Sequence, residues 1–481
     1  MTESLFKQQV TAALTDTALQ TALQNVKNGL TAKRHAAVMA LPEYERIRQQ
    51  AVHIKNKTLD QLDIYLLEYE KHVIAHGGRV HWAETPEAAC EIIEGICRDA
   101  KAEHIVKGKS MVTEEIHLNA HLEKQGYEVT ETDLGEYIIQ VAEETPSHII
   151  APAIHKTKEQ VARLFVEKHK LLDGVTEHSP RVDLVAEARR MLRQKFLTAD
   201  VGITGANFLI AESGQHVLVT NEGNGDLCSL LPDTHIVVSG IEKVLPTRQD
   251  VGPFLRLLTR SAVGQHISNY VSFFSGPKKP GDRDGPSNFH VVLVDNGRSQ
   301  MLNSAFKSML RCVRCGACLN HCPVYGAIGG HAYHSVYSGP MGAVFSPLLE
   351  GLKKHGELPD ACTLNGRCQV ACPMDIPLPD MIRQLRHQAW SQALNSQASR
   401  CGLRFWAFLT RHKRLYQFFV KTAVRLLSAL KGPSHSLKQI PFGSSWSAHR
   451  DFPLPESSTF MAQWKKNKDR AGKVNPSNID R

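Results

Sequence analysis

Apolar residues recur every three or four positions over the first 75 residues of the chain. Two such stretches, TESLFKQQVTAALTDTALQTALQNV and YERIRQQAVHIKNKTLDQLDIYLLEYEKHVIAH, are separated by a loop around Pro42. This spacing places the apolar side chains on one face of a helix. Residues 1–75 are therefore predicted to form an N-terminal helical segment, which ends where Gly77 and Gly78 interrupt the pattern.

Beyond this glycine pair, short apolar runs alternate with helical patterns. The predicted strands are RVHWA, HIVKG, YEVTETD, SHIIAPA, FLIAES, HVLVTN, HIVVSG and HVVLVD, and the helices among them include AACEIIEGICRDAK and TEEIHLNAHLEKQG. Strands that alternate with helices of ~10–15 residues indicate a mostly parallel sheet with both faces covered. We therefore predict an α/β domain over residues 76–300.

Seven of the 11 cysteines lie in two short runs with the spacings C-x2-C-x2-C-x3-C-P and C-x5-C-x3-C-P. The first spacing is that of bacterial ferredoxins, in which three close thiolates hold one iron–sulfur cluster and the fourth binds a second cluster. A disulfide framework is disfavoured because it belongs to small secreted domains, and zinc ribbons favour two C-x2-C pairs. Residues 301–395 are predicted to form a ferredoxin-type domain with two iron–sulfur clusters.

The second run has Asn365 where a fully symmetric pair of clusters would need a cysteine. Crossed ligation assigns four thiolates to cluster 1 and three to cluster 2, namely Cys312, Cys315, Cys318 and Cys372 for the first and Cys322, Cys362 and Cys368 for the second. Asparagine is a poor iron ligand because softness and charge favour thiolate. We expect one [4Fe–4S] cluster and a second cluster that is either [3Fe–4S] or [4Fe–4S] with a non-cysteine ligand. The second spacing resembles the three-iron site of the succinate dehydrogenase iron–sulfur subunit, which favours [3Fe–4S].

A Gly/Pro-rich segment with His331, Tyr333, His334 and Tyr337 connects the two runs. One interpretation is a substrate or quinone pocket near the clusters. The other is a linker whose aromatic side chains cover the clusters from water and so help to set their potentials. We favour the linker.

The net charge of +9 is concentrated near the C-terminal end, where Arg400 to Arg481 include 16 Lys/Arg and 4 Asp/Glu residues. The basic residues are interleaved with apolar ones such as Trp406 and Phe418. An amphipathic helical pair packed on the cluster domain is favoured over a lipid-binding surface, and nucleic acid is disfavoured because no known binding motif is present. Residues 396–481 are predicted to form a basic helical region that ends in an extended tail, which contains Pro441, Pro453, Pro455 and the run KKNKDR.

Hydrophobic residues make up 42% of the chain and charged residues 22%, as in ordinary globular proteins. No apolar stretch approaches the ~20 residues of a membrane span. The first ten residues do not combine a basic start with an apolar core, as a secretory leader would. We expect a cytoplasmic protein, with peripheral contact at the inner face of the membrane as the alternative.

Five polar residues of the α/β region are candidates for an anion or substrate pocket. Lys107 and Lys109 lie at the end of a predicted strand just before a helix, where anions often bind, and Thr204, Glu212 and Asn221 lie in turn-rich stretches. Plain connections between strands and helices are the favoured interpretation, because neither a Walker A motif nor G-x-G-x-x-G is present. The sequence shows no Ser/His/Asp or metal-hydrolase signature, so no catalytic residue is assigned.

The α/β stretch resembles the lactate-utilisation domain, whose fold is akin to that of the sugar-phosphate isomerase and CoA-transferase group. The resemblance is carried by KGKSMVTEE, ETDLGEYIIQ, SHIIAPAIH and GITGANFLIAESGQHVLVTNEGN. Together with the double-cluster module and the basic tail, it makes the chain similar, from about residue 10 to residue 460, to the lactate-utilisation iron–sulfur protein B family.

This resemblance implies an electron-transfer subunit in the oxidation of L-lactate to pyruvate, itself non-catalytic or co-catalytic. It also implies two partner subunits, a cysteine-rich protein like heterodisulfide reductase and a smaller lactate-utilisation-domain protein, and an electron acceptor that the sequence does not identify. An oxidoreductase acting on another hydroxy or amino acid and a redox-sensing regulator are the alternatives.

Overall fold

The computed structural model describes residues 5–169, 176–429, 436–438, 450–455 and 458–471. The chain divides into two compact units, Met1–Gln392 and Ala393–Arg481. The first unit contains the N-terminal helices, the α/β region and both cysteine runs.

Four helices precede the first strand: α1 (Leu5–Thr15), α2 (Thr17–Met39), α3 (Tyr44–Asp60) and α4 (Leu62–Ala75). Asp16 begins α2, since its carboxylate accepts hydrogen bonds from the backbone N–H groups of Ala18 and Leu19, which have no partner within the helix. Gly78 follows α4 at a point where a side chain would collide with Val73 and Phe289. The glycine therefore allows α4 to pack closely beside the first strand.

The main sheet has six strands, all parallel: β1 (Arg79–Ala83), β2 (His104–Lys107), β3 (Glu128–Glu131), β4 (Val201–Thr204), β7 (Thr234–Gly240) and β10 (Asn288–Val294). Their order is β1-β10-β7-β4-β2-β3. Every residue of β4 and β7 is buried, as expected for central strands covered on both faces. The predicted α/β fold with a parallel sheet is confirmed.

In the described part of this region, the strands are accompanied by the helices α5 (Pro86–Asp99), α6 (Met111–Glu115), α7 (Leu118–Lys124), α8 (Leu134–Val141), α9 (Lys158–Lys168), α10 (Arg181–Thr198), α11 (Asn224–Leu230) and α12 (Val251–Val263). The stretch TEEIHLNAHLEKQG, predicted as one helix, is divided between α6 and α7. The break lies at His117, whose φ of 55° is left-handed and incompatible with a continuous helix.

A second sheet contains β5 (Phe208–Ile210), β6 (Gln215–Thr220), β8 (Val244–Leu245) and β9 (Tyr270–Phe274) in the order β8-β5-β6-β9. Strand β6 is antiparallel to both of its neighbours. The sequence pattern predicted β5 and β6 as strands but did not separate them from the parallel sheet. A turn at Gly214, with φ of 63°, connects them too tightly for a parallel crossover.

The stretch SHIIAPA was predicted as a strand, and this prediction is wrong. The segment is a series of turns whose polar groups bind the cysteine-containing region instead of a sheet. The Ser147 carbonyl accepts a hydrogen bond from the Tyr325 hydroxyl at 2.9 Å, and the Ser147 hydroxyl accepts one from the Gly330 N–H at 3.1 Å. This segment therefore joins the α/β region to the cysteine-containing region.

Short helices and turns dominate the rest of the first unit. The helices are α13 (Arg298–Leu302), α14 (Ala317–Asn320), α15 (Tyr325–Ile328), α16 (Gly339–Glu350), α17 (Leu352–His355), α18 (Glu357–Asp360), α19 (Arg367–Ala371) and α20 (Leu378–Ser391). Single 3₁₀ turns span Ala211–Ser213, Ile241–Lys243, Lys307–Arg311 and His331–Tyr333. Each cysteine run consists of a loop followed by one short helix, α14 in the first run and α19 in the second.

The second unit contains α21 (Gln397–Arg411), α22 (Lys413–Ala429), α23 (Phe460–Ala471) and two short antiparallel strands, β11 (Ser436–Leu437) and β12 (Phe452–Pro453). Trp406 and Phe418 are among its exposed apolar side chains. The KKNKDR run was predicted to be extended but lies in α23, while Pro441 falls outside the described residues. Among the described residues, no helix is long and apolar enough to cross a membrane.

Candidate iron–sulfur centre and the adjoining cleft

Four cysteines line one apolar pocket, which contains about 380 Å³ of empty space. They are the residues predicted for cluster 1: Cys312, Cys315, Cys318 and Cys372. The rest of the wall consists mainly of methionine and aliphatic side chains, among them Met309, Met341 and Ile376. The fold therefore brings three thiols of the first run together with one thiol of the second.

The other three cysteines, Cys322, Cys362 and Cys368, are not among the residues that line this pocket. Cys368 lies within α19, which packs against α14. Burial, together with the neighbouring thiols of Cys362 and Cys322, raises the pKa of Cys368 to about 12. Burial also raises the pKa of Cys322, with Cys362 among its neighbours. These three thiols thus lie near one another as a second group, and their role as ligands of cluster 2 stays a prediction.

Both groups have the chemistry of sites for a cationic core. Burial raises the pKa of Cys315 to about 12 and that of Cys372 to about 11, and Cys372 adds to the shift at Cys315. Several thiolates cannot share an apolar pocket unless positive charge offsets their repulsion and the cost of burial. The iron ions of a cluster supply that charge. All of these cysteines are free of disulfides, so the residues present fit the cofactor.

Residues with a left-handed backbone conformation bend both loops around their thiols. In the first loop Arg314 and Gly316 have φ of 59° and 71°, and in the second Leu364 and Gly366 have φ of 55° and 80°. The Leu364 N–H donates to the Cys362 sulfur at 3.3 Å. In cluster proteins, such N–H···S bonds stabilise the thiolate ligands and help to set the reduction potential.

The side chain of Asn365 is already hydrogen-bonded and is not free to bind iron at the second group of thiols. Its side chain is exposed, and its Oδ1 accepts a hydrogen bond from the Arg367 N–H at 3.0 Å, at the start of α19. Tyr333 is buried and donates a hydrogen bond to Cys322, which lowers the pKa of that thiol against the effect of burial. The linker tyrosine thus covers the second group, while Asn365 closes a turn.

A buried network of charges adjoins the first group. The guanidinium of Arg298 binds Glu115 at 2.8 Å and Glu242 at 2.7 Å, and Glu242 also binds Arg314 at 3.3 Å. Burial opposes ionisation of Glu242, but the two arginines outweigh it and lower the pKa to about 2. Lys55 on α3 donates to the Glu242 backbone carbonyl. This network anchors the loop between Cys312 and Cys315 to the α/β region.

Sequence reasoning missed Glu242 and Arg298. Their positions in the sequence could have identified them as candidates, since each follows closely after a buried strand, Glu242 after β7 and Arg298 after β10. Charged residues at the carboxyl ends of parallel strands commonly have a specific partner or role.

Two of the five candidate pocket residues in the α/β region lie at adjacent strand ends. The ammonium of Lys107 is fully buried between Glu131 at 2.7 Å and Glu114 at 2.9 Å. The hydroxyl of Thr204 is hydrogen-bonded to His235 at 2.8 Å. Lys107 is therefore neutralised within the protein and offers no free charge to an anionic substrate.

The other three candidates point to separate partners. Lys109 donates to the carbonyl of Ile150 at 2.7 Å, Glu212 accepts from the N–H of Arg248 at 2.7 Å, and Asn221 lies in a loop after β6. The structure does not bring the five residues together into one pocket.

A wide polar cleft, with about 2430 Å³ of space, opens beside the cluster region. Its walls come from the junction of α1 and α2, from α6 and α7, from residues 140–160 and from the linker at 330–336. Glu144, His155 and His331 lie together on this wall. The α/β region and the cysteine-containing region thus share one solvent-filled surface.

Family comparisons match both parts of the first unit. The model of the LUD domain matches residues 66–294, and the model of the 4Fe-4S dicluster domain matches residues 308–376. A crystal structure of a duf162 family protein from Deinococcus radiodurans aligns with 48% of this chain and 98% of its own, at 17% identity and a TM-score of 0.25, which is too low to bear on the fold.

Two curated relatives align over nearly their whole lengths. Lactate utilization protein B of Bacillus velezensis is 42% identical over 474 residues, covering 97% of each chain. Lactate utilization protein B of Geobacillus kaustophilus is 43% identical over 449 residues, covering 92% of each chain. With a LUD domain followed by a 4Fe-4S dicluster domain, this chain belongs to the lactate utilization protein B family.

Proposed function

We propose that this chain is the electron-transfer subunit of a system that oxidises L-lactate to pyruvate. The observation that carries the proposal is the arrangement of seven cysteines in a group of four and a group of three within one compact unit. When bound, an iron–sulfur cluster accepts and returns one electron at a time. Membership of the lactate utilization protein B family supports lactate as the source of the electrons.

In this proposal Cys312, Cys315, Cys318 and Cys372 hold cluster 1, and Cys322, Cys362 and Cys368 hold cluster 2. The first run contributes to both sites across α14, a helix of four residues. At 1.5 Å per residue this helix is only about 6 Å long. The thiols of Cys318, within this helix, and Cys322, just after it, would therefore hold the two cofactors close together, as an electron relay requires.

For the second site we propose [3Fe–4S]. Three thiols are present, and the Asn365 side chain is exposed and bonded to the Arg367 N–H. An amide oxygen is also a weaker iron ligand than thiolate. A cube completed by water or a carboxylate is the alternative.

Oxidation of L-lactate removes two electrons and two protons as the hydroxyl carbon becomes a carbonyl. A chain that holds two one-electron centres can take both electrons in single steps. We propose that it receives them within a complex with two other lactate-utilisation subunits, a cysteine-rich protein like heterodisulfide reductase and a smaller LUD-domain protein. Its own residues hold the cofactors, exclude water from the first site and donate hydrogen bonds to the sulfurs.

Rapid-freeze EPR on the anaerobically purified three-protein complex tests this function. After L-lactate is added, the signal of the reduced cubane is expected to appear, and that of the oxidised three-iron cluster to disappear, no more slowly than pyruvate forms. D-lactate provides the control. Pyruvate formation with clusters that stay oxidised would contradict the relay. Reduction of the clusters by L-lactate in this chain alone would instead indicate an oxidoreductase in its own right.

A further inference from the structure

Three potential metal ligands meet on the wall of the polar cleft, outside both cysteine groups. They are Glu144, His155 and His331, and one ligand atom from each lies within 4.8 Å of the others. The two imidazole rings are 4.5 Å apart between centroids and inclined at 66°. His155 and His331 are 176 positions apart in the sequence, so only the fold brings them together.

The backbone that carries these residues is fixed where the two regions join. A side chain at Gly330 would collide with the carbonyl of Ser147, and the Gly330 N–H donates to the Ser147 hydroxyl. His331 immediately follows this contact. The backbone of His331 is therefore held in place before any ligand arrives, which lowers the cost of ordering a site.

Hydrogen bonds position both imidazole rings. Nε2 of His331 lies 2.7 Å from the Thr145 carbonyl, and Nε2 of His155 lies 2.7 Å from a Glu144 carboxylate oxygen. The carbonyl only accepts, so Nε2 of His331 carries a proton and its Nδ1 keeps a lone pair. At His155 a cation can take the place of the proton between Nε2 and the Glu144 carboxylate, which makes these two atoms adjacent ligands.

His155 is largely buried in the wall of the cleft. Its side chain is 9% exposed, so the ring has little freedom to turn away from Glu144.

We propose that Glu144, His155 and His331 form a binding site for a divalent metal ion of the zinc or ferrous class. Imidazole and carboxylate ligands suit these ions. Three protein ligands leave a coordination position open for water or an oxygen-bearing small molecule, and the cleft provides the space for it. The inference is independent of the proposed electron relay.

Lys156 provides a sharp test because it competes with the metal. Its ammonium donates to Glu144 Oε1 at 2.6 Å, while the other carboxylate oxygen binds His155. A cation so close to the carboxylate weakens binding of a second cation there. Removal of this lysine charge should therefore tighten metal binding.

The experiment uses cluster-loaded, full-length protein dialysed anaerobically against buffered zinc, with zinc and iron counted by mass spectrometry. The wild type is expected to hold one zinc ion per chain in addition to its cluster iron. His155→Asn and His331→Asn should weaken zinc binding by about tenfold or more. His334→Asn is the matched control, since this histidine lines the same cleft outside the triad, and it should bind zinc like the wild type.

Lys156→Met should bind zinc several-fold more tightly than the wild type. Its control is Lys168→Met, which removes a lysine paired with the exposed neighbour Glu143 and should leave the affinity unchanged. The inference is overturned if the wild type takes up no zinc beyond its clusters. It is also overturned if the histidine variants keep wild-type affinity, which would place the zinc at cysteines of damaged clusters, or if Lys156→Met binds no more tightly.

Discussion

At the scale of single residues, the position of a cysteine in the fold decides which group of thiols it joins. Cys318 and Cys322 are four residues apart, yet they lie in different groups, since Cys318 lies within α14 and lines the first pocket while Cys322 follows the end of that helix. Cys372 is 50 or more positions from the first run and lies beside it. The sequence led to the crossed assignment because the ferredoxin spacing has only a few geometric solutions, and the cluster that each group of thiols holds stays a prediction.

Single substitutions should remove the two clusters separately. Cys318→Ala is expected to abolish the EPR signal of the reduced cubane, because it removes one of four thiols from the first pocket. Cys368→Ala is expected to abolish the signal of the second cluster. EPR spectra of both anaerobic variants check this, and loss of the same signal in both would contradict the two groups.

A thiol at position 365 should change the second cluster. In Asn365→Cys the three-iron signal of the oxidised protein is expected to disappear. A second cubane signal is expected in the reduced protein, because a fourth thiolate allows a fourth iron to bind. Asn365→Ser is the control, since a hydroxyl can still accept from the Arg367 N–H without offering a thiolate. An unchanged three-iron signal in the cysteine variant would show that position 365 lies too far from the iron.

His216 should make stability depend on pH. It is fully buried and stacks on Phe274 and Phe289, with ring centroids 5.2 Å and 5.5 Å away, and burial lowers its pKa from 6.5 to about 3. Between these values the unfolded chain binds the proton and the folded chain does not. The neutral His216 therefore makes its full contribution to the free energy of unfolding above pH 6.5. That contribution decreases as the pH drops towards 3, by about 1.4 kcal/mol per pH unit.

Thermal unfolding between pH 7.5 and pH 5 measures this effect. The melting temperature of His216→Phe is expected to fall less between pH 7.5 and pH 5 than that of the wild type, because phenylalanine does not titrate. Equal losses in the two proteins would show that His216 does not contribute.

At the scale of secondary structure elements, the buried ion network connects the α/β sheet to the cluster loop. Arg298 follows β10, Glu242 follows β7, and Arg314 lies within the first cysteine run. All three are buried, so each charge depends on the others to offset the loss of water. The loop that carries three of the cluster 1 cysteines is thereby fixed to the sheet.

Arg298→Met should destabilise the first unit strongly. It leaves the carboxylates of Glu115 and Glu242 buried beside fewer cations, and such a loss typically costs about 3–5 kcal/mol. Arg383→Met is the control, because it removes an exposed pair with Asp380 and should cost less than about 1 kcal/mol. The melting temperatures of the anaerobic proteins check the prediction, and similar values for the two variants would contradict it.

Local periodicity was sufficient to predict the N-terminal helices and the parallel strands, because their side chains follow regular helical and strand spacings. It failed at SHIIAPA, an apolar run whose backbone bonds to Tyr325 and Gly330 far along the chain. It also did not separate the antiparallel sheet, which depends on a turn at Gly214. The Glu144–His155–His331 group has no local signal, since two distant segments must meet to form it.

At the scale of the whole molecule, the first unit combines a LUD domain with two cysteine groups. Residues of both regions line the first cysteine pocket, where Ile149 from the turn segment lies beside the cysteine loops. They also share the wall of the polar cleft. A substrate in that cleft would lie next to the cluster region without entering the dry cysteine pocket.

The central claim is that this chain holds two separate one-electron centres. Its most direct test is an anaerobic redox titration of the purified protein followed by EPR, with iron and sulfide counted. We predict two signals that titrate independently, an oxidised three-iron signal and a reduced cubane signal, with about seven iron ions per chain. Protein that stays free of iron after anaerobic reconstitution, or that shows a single signal lost with any one of the seven cysteines, would contradict the account.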